Sequence, residues 1–289
     1  MRLAIGIATR GRPAILAETI AELGRQTRPA DEILVCHVAP EDVRNLPLRR
    51  PDICFLRTAA GLPRQRNALL EATTAEVLLF LDDDFFPAPS YLEVLEQVLA
   101  ARADCVVATG TVIADGAKGP GITPEEARTI LAVDRPPVDL LLAAPHFNGY
   151  GCNMAVRMEV VRRTGIRVDE RLPLYAWYED IDFTRALGRY GAILRLGGAR
   201  GVHLGVKQAR SPGLRLGYSQ VINPVYLARK GTFPWSHAIP SVARHLAINA
   251  GRSLVPEPHV DRFGRLKGNL LALFDLARGR VEPERALAL

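Results

Sequence analysis

The stretch Ala75 to Pro87, AEVLLFLDDDFFP, carries a short apolar run straight into three acids. Val77, Leu78, Leu79, Phe80 and Leu81 are too few for a helix and are bounded on both sides. This predicts a strand buried on both faces, as in a parallel sheet. Asp82, Asp83 and Asp84 follow at once. Adjacent carboxylates repel one another and cannot be buried unpaired, so they need water or a cation. The C-terminal end of a parallel strand is also where open α/β sheets bind ligands. Side chains alternate along an extended chain, so Asp82 and Asp84 point the same way and offer hard oxygen ligands to a divalent metal. The alternative is a solvated acidic turn that caps the helix starting near Pro89.

The flanks fit an α/β sheet. Leu3 to Ala8 predicts a first strand, and Pro13 suits the first position of the helix that follows. Ile15, Leu16, Thr19, Ile20 and Leu23 recur at helical spacing. Glu32 to Val38 and Ile53 to Leu56 read as strands, separated by a loop with Pro40, Pro47 and Pro51. Leu62 to Ala72 is a helix. Alternation of this kind signals a parallel sheet. Downstream, Tyr91 to Ala101 is predicted as a helix and Cys105 to Ile113 as a strand. A loop covers Asp115 to Gly121, and Thr123-Pro124-Glu125-Glu126 is a capping box. His146 to Arg157 is glycine-rich and then strand-like, Val160 to Arg163 a short helix, and a further helix opens at Glu179. Ala192 to Leu196 and Val202 to Leu204 read as two short strands. Leu214 to Arg229, Ser236 to Ala250 and Phe263 to Arg278 read as helices.

With 289 residues, 48% of them hydrophobic, the chain can hold one large α/β domain or two small ones. No uncharged apolar run reaches transmembrane length, and MRLAIGIATRGRP lacks the features of a secretory signal. Cys36, Cys54, Cys105 and Cys152 are widely spaced and read as buried free thiols, so a cytoplasmic setting is expected. The net charge of +6 is uneven: Arg200 to Leu289 holds 14 Lys and Arg against 5 Asp and Glu, the remainder 23 against 26. A basic third can meet phosphates, anionic lipid or nucleic acid. Nucleic acid is not expected, because no recognition motif or stacking signature accompanies the charge.

Three further groups carry chemistry. Thr9, Arg10 and Arg12 close the first strand, and two arginines there could grip a diphosphate, although Arg12 alone also fits a solubilising surface charge. Gly61 to Asn67, GLPRQRN, opens a helix whose N-terminus, with Arg64 and Arg66 beside it, suits an anion. Glu179 and Asp180, with Asp182 and Arg185 after them, begin another helix. Acids there can be simple dipole caps, or one can be a general base for an alcohol proton. Trp177 and Tyr178 just before them offer flat apolar surface for a sugar ring.

The ordered set TRGRP, GLPRQRN, LLFLDDD, NGYGCNMAVR and WYEDIDFTRALGRYG resembles glycosyltransferase family 2, over roughly Leu3 to Leu204. The resemblance implies a GT-A fold: a single Rossmann-like, mostly parallel α/β sheet flanked by helices, with a helical C-terminal extension. Residues 1–204 would form the catalytic domain, with 1–113 the nucleotide-sugar half and 114–204 the acceptor half, and 205–289 the basic extension. It implies a metal-dependent inverting transferase that moves a sugar from a nucleotide-diphosphate sugar to a hydroxyl of a saccharide or lipid-linked acceptor, in cell-surface polysaccharide or glycolipid synthesis. Asp82 and Asp84 match the metal motif for Mn²⁺ or Mg²⁺, with His203 as a third ligand. Thr9, Arg10, Arg12, His37, Gly61, Arg66, Asn67, Asp82 and Asp83 fall on the nucleotide-sugar side. Asp180, beside Glu179, matches the catalytic base. Asn148, Gly149, Asn153, Trp177 and Tyr178 fall on the acceptor side. One departure stands out. The family places an acid just after the second strand to read the base, whereas this chain has CHVAPED, leaving His37, Glu41 or Asp42 for that role.

Two other readings compete. A haloacid-dehalogenase-type phosphatase also uses a strand-end acid pair, but it wants Thr or Val where Phe85 stands and an earlier motif. A non-catalytic sugar-nucleotide or glycan-binding module on the same fold would not need the intact Asp82, Asp84 and Asp180. Sugar nucleotidyltransferases open with a glycine-rich loop, which ATRGRP is not.

The segment Arg262 to Arg278, RFGRLKGNLLALFDLAR, places Phe263, Leu266, Leu270, Leu273, Phe274 and Ala277 at three- and four-residue steps beside Arg262, Arg265, Lys267 and Arg278. Such a helix can lie peripherally in an anionic headgroup layer at the inner face of a membrane, each basic residue adding about 1 kcal/mol. The alternative is a helix whose apolar face packs on the catalytic domain. Gly264 and Gly268 weaken it as an autonomous helix.

Overall fold

In a computed structural model of the chain, the structure describes residues 1–46, 53–207, 212–255, 257, 258 and 260–289. Pro47 and Pro51 of the expected loop lie outside them. The sheet starts from β1 (Leu3–Ala8), whose side chains are almost all buried. Pro13 then opens α1 (Pro13–Leu23). β2 (Glu32–His37), β3 (Ile53–Arg57), α2 (Leu62–Ala72) and β4 (Val77–Asp82) follow as read from the sequence. β1 runs parallel to both β2 and β4, with Ala8 level with Cys36 and with Asp82. This register brings Thr9, His37 and the acids to one edge of the sheet.

Beyond the acids the chain departs from expectation. The acids do not cap a helix: β5 (Phe85–Pro87) separates them from α3 (Tyr91–Ala101). β6 (Cys105–Asp115) runs two residues past its predicted end, so Asp115 is a strand residue. α4 (Pro124–Val133) starts with the expected capping box at Thr123. β7 (Ala143–Pro145) was not anticipated, and β8 (Asn153–Arg157) leads into α5 (Met158–Thr164) and later α6 (Glu179–Leu187). The two short strands expected near residue 200 are one, β9 (Ala192–His203). Its Gly197 and Gly198 look like a break but serve close packing, because a Cβ on Gly198 would sit 2.2 Å from the Leu140 carbonyl oxygen. Register shifts against β6 absorb the irregularity.

Among the described residues the strands form one mixed sheet in the order β3-β2-β1-β4-β8-β6-β9-β5, with β7 paired to β9 off that path. β5 is antiparallel to β9 and sets Phe85 opposite His203. Leu16 and Ile20 of α1 and Leu92 and Leu95 of α3 belong to the same buried cluster as the sheet residues Ile5, Ile7 and Leu79. Cys36, Cys105 and Cys152 are buried free thiols as expected, but Cys54 is exposed because β3 is an edge strand.

The contacts divide the chain into two compact units, and the division is not a single cut at residue 204. The first holds 1–60, 64–167 and 186–209, and the second 61–63, 168–185 and 210–289. The second unit is built on α7 (Gly213–Lys230), α8 (Trp235–Ser253) and α9 (Arg262–Ala277). α7 and α9 meet backbone to backbone: a Cβ on Gly217 would lie 2.0 Å from the Arg265 carbonyl oxygen, and one on Gly268 2.1 Å from that of Leu214. Asn249 donates to Gln220 and Asn269 at 3.0 and 2.8 Å, and Asn269 donates to the Gly217 carbonyl at 2.7 Å. Each of these buried amides is thus supplied with partners. Among the described residues no helix is long and apolar enough to cross a membrane.

Asp42 fixes the loops at the edge of the sheet. Its Oδ1 accepts from Gly11 N at 2.7 Å, and its Oδ2 accepts from Val38 N and Ala39 N at 3.0 and 2.8 Å. The carboxylate is therefore spent on backbone. Burial opposes its charge, but the three N–H groups outweigh that and hold its pKa below the usual carboxylate range. A depressed carboxylate contributes stability that is present above its unfolded pKa and is lost as pH falls through the folded one. Asp42→Asn is expected to lower stability at neutral pH by about 1–3 kcal/mol. The gap to wild type should close as pH drops below about 4. Denaturant melts of both proteins at several pH values check this; a gap independent of pH would contradict it.

Candidate functional site

In the first unit the acid triplet splits at the turn that ends β4. Asp83 is buried and faces the β1 loop: Thr9 Oγ1 donates to its Oδ2 at 2.7 Å, and Arg12 Nη1 to its Oδ1 at 2.9 Å. Its carbonyl accepts from Thr19 Oγ1 at 2.7 Å. Burial pushes the Asp83 carboxyl up to about 7, against the pull of the Arg12 guanidinium. Asp82 and Asp84 meet His203 on the other side. One ligand atom from each of the three lies within 4.8 Å of the other two. His203 Nε2 is 3.4 Å from Asp84 Oδ1 and 3.8 Å from Asp82 Oδ2. Asp84 Oδ2 also accepts from Val206 N at 2.8 Å and sits 3.4 Å from Arg12 Nη1.

His203 is oriented from behind by Asp115, whose Oδ1 lies 2.9 Å from His203 Nδ1. Tyr150 donates to the other Asp115 oxygen at 3.0 Å and sets its ring edge-on to the imidazole. With Nδ1–H held by Asp115, Nε2 is the atom presented to Asp82 and Asp84. Burial works against a charged imidazole, but the hydrogen bonds to Asp115 and Asp84 and the nearby carboxylates lift the His203 pKa to about 10. Burial likewise opposes Asp115, yet the His203 bond and the Ala117 N–H hold it down at about 2. Asp84 is also lowered, burial being outweighed by its contact with His203. Asp115 and Tyr150 were not singled out in the sequence. An acid at the end of a strand was the available signal for Asp115, had that strand been extended to it.

The other residues expected on the nucleotide side scatter in position. Arg66 Nη2 donates to the Gly151 carbonyl at 2.7 Å and reaches Asp82 Oδ1 at 3.4 Å, with its guanidinium over the Phe80 ring. Arg10 is exposed and Asn67 buried. His37 is buried at the end of β2, its Nδ1 2.9 Å from the Ala39 carbonyl. Gly61 has φ of 142°, a backbone that other residues rarely adopt. Arg12 is not a surface charge: it bridges Asp83 and Asp84. Of the residues expected to meet an acceptor, Asn148 and Gly149 lie in the loop before β8. Asn153 is fully buried and its Oδ1 accepts from Thr109 Oγ1 at 2.6 Å and Gly110 N at 3.1 Å, so it braces β8 against β6 and is closed off from any acceptor.

In the second unit, the loop before α6 is strained. Leu174, Ala176 and Tyr178 have φ of 57°, 52° and 74°. Left-handed backbone costs a non-glycine residue on the order of 1 kcal/mol, so three in five residues must be held by their surroundings. Leu62 N donates to the Leu174 carbonyl at 2.9 Å, and Asn223 Nδ2 to that of Trp177 at 2.8 Å. The Tyr178 hydroxyl is 2.7 Å from Ser241 Oγ, and Trp177 packs edge-on to His245. Glu179 and Asp180 form the first turn of α6, Glu179 buried and Asp180 half-buried. Asp182 is buried and bound to Lys230 Nζ and Thr232 Oγ1, both at 2.6 Å, which is a structural role.

Comparison with known proteins agrees with this architecture. A search of curated proteins returns no match. Solved structures of S. aureus TarS share the fold: the 1–349 portion aligns with TM-score 0.53 at 15% identity over 97% of this chain and 92% of that one. The same portion in complex with UDP gives 0.53 at 14% identity over the same shares. Against a longer TarS structure the TM-score is 0.52 at 16% identity, covering 77% of this chain and 40% of the other. The mixed sheet flanked by helices is thus a GT-A fold. The family model for glycosyl transferase family 2 matches residues 4–165, more than half of the chain and inclusive of the acid triplet. The chain belongs to glycosyl transferase family 2, a family of glycosyltransferases.

Proposed function

We propose that this protein transfers a sugar from a nucleotide-diphosphate sugar to a hydroxyl acceptor, with inversion at the anomeric carbon. The observation that carries this reading is the convergence of Asp82, Asp84 and His203 at the C-terminal end of β4, in a chain of a glycosyltransferase family. A TarS structure with UDP supports a nucleoside diphosphate as the leaving group.

Two carboxylates and an imidazole nitrogen fit a divalent cation such as Mn²⁺ or Mg²⁺. Asp82, Asp84 and Nε2 of His203 would hold it. When bound, it supplies positive charge where the departing diphosphate gathers negative charge. The chain's own groups do the rest. Arg12 and Val206 N fix Asp84, and Arg66 steadies Asp82. Arg10 and the N-terminus of α2, with Asn67 in its first turns, are assigned to the phosphates and nucleoside. Because Asp42 is spent on backbone, reading of the base falls to His37 or Glu41. Asp180 takes the acceptor's proton at its carboxylate, with Glu179 beside it in the helix turn. Trp177 and Tyr178, with Asn148 and Gly149, are assigned to a saccharide or lipid-linked acceptor, the kind of molecule built into cell-surface polysaccharide or glycolipid. Residues 1–113 would then serve the donor and 114–204 the acceptor. Buried free thiols support a cytoplasmic setting.

The assay is incubation with a panel of sugar nucleotides and Mn²⁺, reading nucleoside diphosphate release. Release from none of them, or release of inorganic phosphate instead, would refute the assignment. Asp84→Asn should abolish metal-dependent turnover, and normal Mn²⁺ binding and rate in that variant would remove Asp84 from the site. Asp115→Asn leaves the three ligands in place but loses the grip on His203, so Mn²⁺ affinity should fall about 10–100-fold by titration calorimetry. Unchanged affinity would show that Asp115 does not orient the ligand. Asp180→Asn should keep donor binding and lose about 10²–10⁴ in transfer rate. Transfer at the wild-type rate would exclude Asp180 as the base.

A further inference from the structure

The helix α9 is turned inside out relative to an ordinary surface helix. Its inward side is small and polar: Gly268, Asn269, Ala272 and Asp275 are buried against the neighbouring helices. Gly268 lies against the α7 backbone, and Asp275 is bonded to Tyr218 and Arg285. Leu271 and Leu276 pack partly buried against the helix cluster, but three other large apolar side chains point the other way: Phe263 is 59% exposed, Leu270 55% and Phe274 50%. With Lys267 and Arg278 they recur at steps of three and four and so share one face. Packing within the second unit uses the opposite side of the helix, so these three side chains are not consumed there.

We infer that this outer face of α9 is a docking surface for an anionic lipid bilayer. The charge pattern selects that occupant. Lys267 Nζ sits 4.5 Å over the Phe263 ring and the Arg278 guanidinium 3.8 Å over the Phe274 ring, so each cation rides on an apolar anchor. The acid within the helix, Asp275, is buried and turned away. A face that pairs exposed Phe and Leu with basic residues and carries no carboxylate matches a headgroup layer, where rings enter the acyl boundary and cations meet phosphate and serine carboxylate. The connection entering α9 exposes two more apolar residues, Leu254 and Val255. Burying such side chains in water-free surroundings is favourable, whereas leaving them in water is not. The inference does not depend on the transferase reading.

The test is co-sedimentation of the full chain with vesicles of about 30% phosphatidylserine in phosphatidylcholine, and with phosphatidylcholine alone. Binding is expected to the anionic vesicles at low salt, about tenfold or more weaker to neutral ones, and weakened by high salt. The pair Leu270→Ser and Phe274→Ser should reduce binding about a hundredfold. The pair Lys267→Glu and Arg278→Glu should reduce it about tenfold or more, providing a second route should the first pair disturb the helix. Circular dichroism melts report folding of each. No binding at low salt, equal binding to neutral vesicles, or undiminished binding by both variants would each overturn the inference. So would a dimer in lipid-free sedimentation velocity that the Leu270→Ser and Phe274→Ser pair abolishes, since the face would then belong to a second copy.

Discussion

Three carboxylates in a row at the end of a buried strand must each be compensated, and the first unit is arranged around that requirement. Asp83 is met by Thr9 and Arg12, Asp84 by His203, Arg12 and Val206 N, and Asp82 by Arg66 and His203. These partners come from the loop after β1, from α2, and from the end of β9 and the residues just after it, all far apart in sequence. Parallel pairing of β1 with β4 sets Thr9 beside Asp83, and antiparallel pairing of β5 with β9 sets His203 beside Asp84. A slip of one residue in either ladder would turn the side chains to the opposite face and leave buried charges alone.

The second unit answers a different constraint. Its helices approach closely enough that glycine is required at the crossing of α7 and α9. The interior there holds Asn249, Asn269 and Gln220 in a polar network, and Asp275 bonded to Tyr218 and Arg285, in place of a purely aliphatic seam. Such a network specifies one arrangement, because a shifted helix would leave amides unpaired. With much of the inside occupied by small and polar groups, Phe263, Leu270 and Phe274 of α9 are left outside.

Much of this was legible in the sequence. The apolar run before the acids gave β4, and the division between Asp83 and its neighbours was expected, although the turn that ends β4 makes it and not alternation. The C-terminal helices were placed to within a few residues. A strand-end acid pair is shared with phosphatases, so it was the order of segments that singled out the family. What stayed hidden was non-local. β5 is three residues long and exists through its pairing with β9. Asp115 is defined by a partner 88 residues away. The single strand β9 was read as two because local sequence does not show the Leu140 carbonyl that fills the space of the missing Gly198 side chain. Asp42 was one of the alternatives for reading the base, and local sequence does not show the backbone of Gly11, Val38 and Ala39 that occupies it. For α9, periodicity defined an apolar face without saying which face turns inward.

The loop ahead of α6 has one further consequence. Leu174, Ala176 and Tyr178 hold a backbone that glycine would adopt without strain. Glycines there would ease the local geometry but would leave the segment many shapes to sample before it settled. Bulky residues locked by Asn223, Ser241 and His245 trade ease of folding for preorganisation. The first turn of α6 therefore presents Asp180 from a backbone that has few alternative conformations, and the entropic cost of ordering it is met during folding.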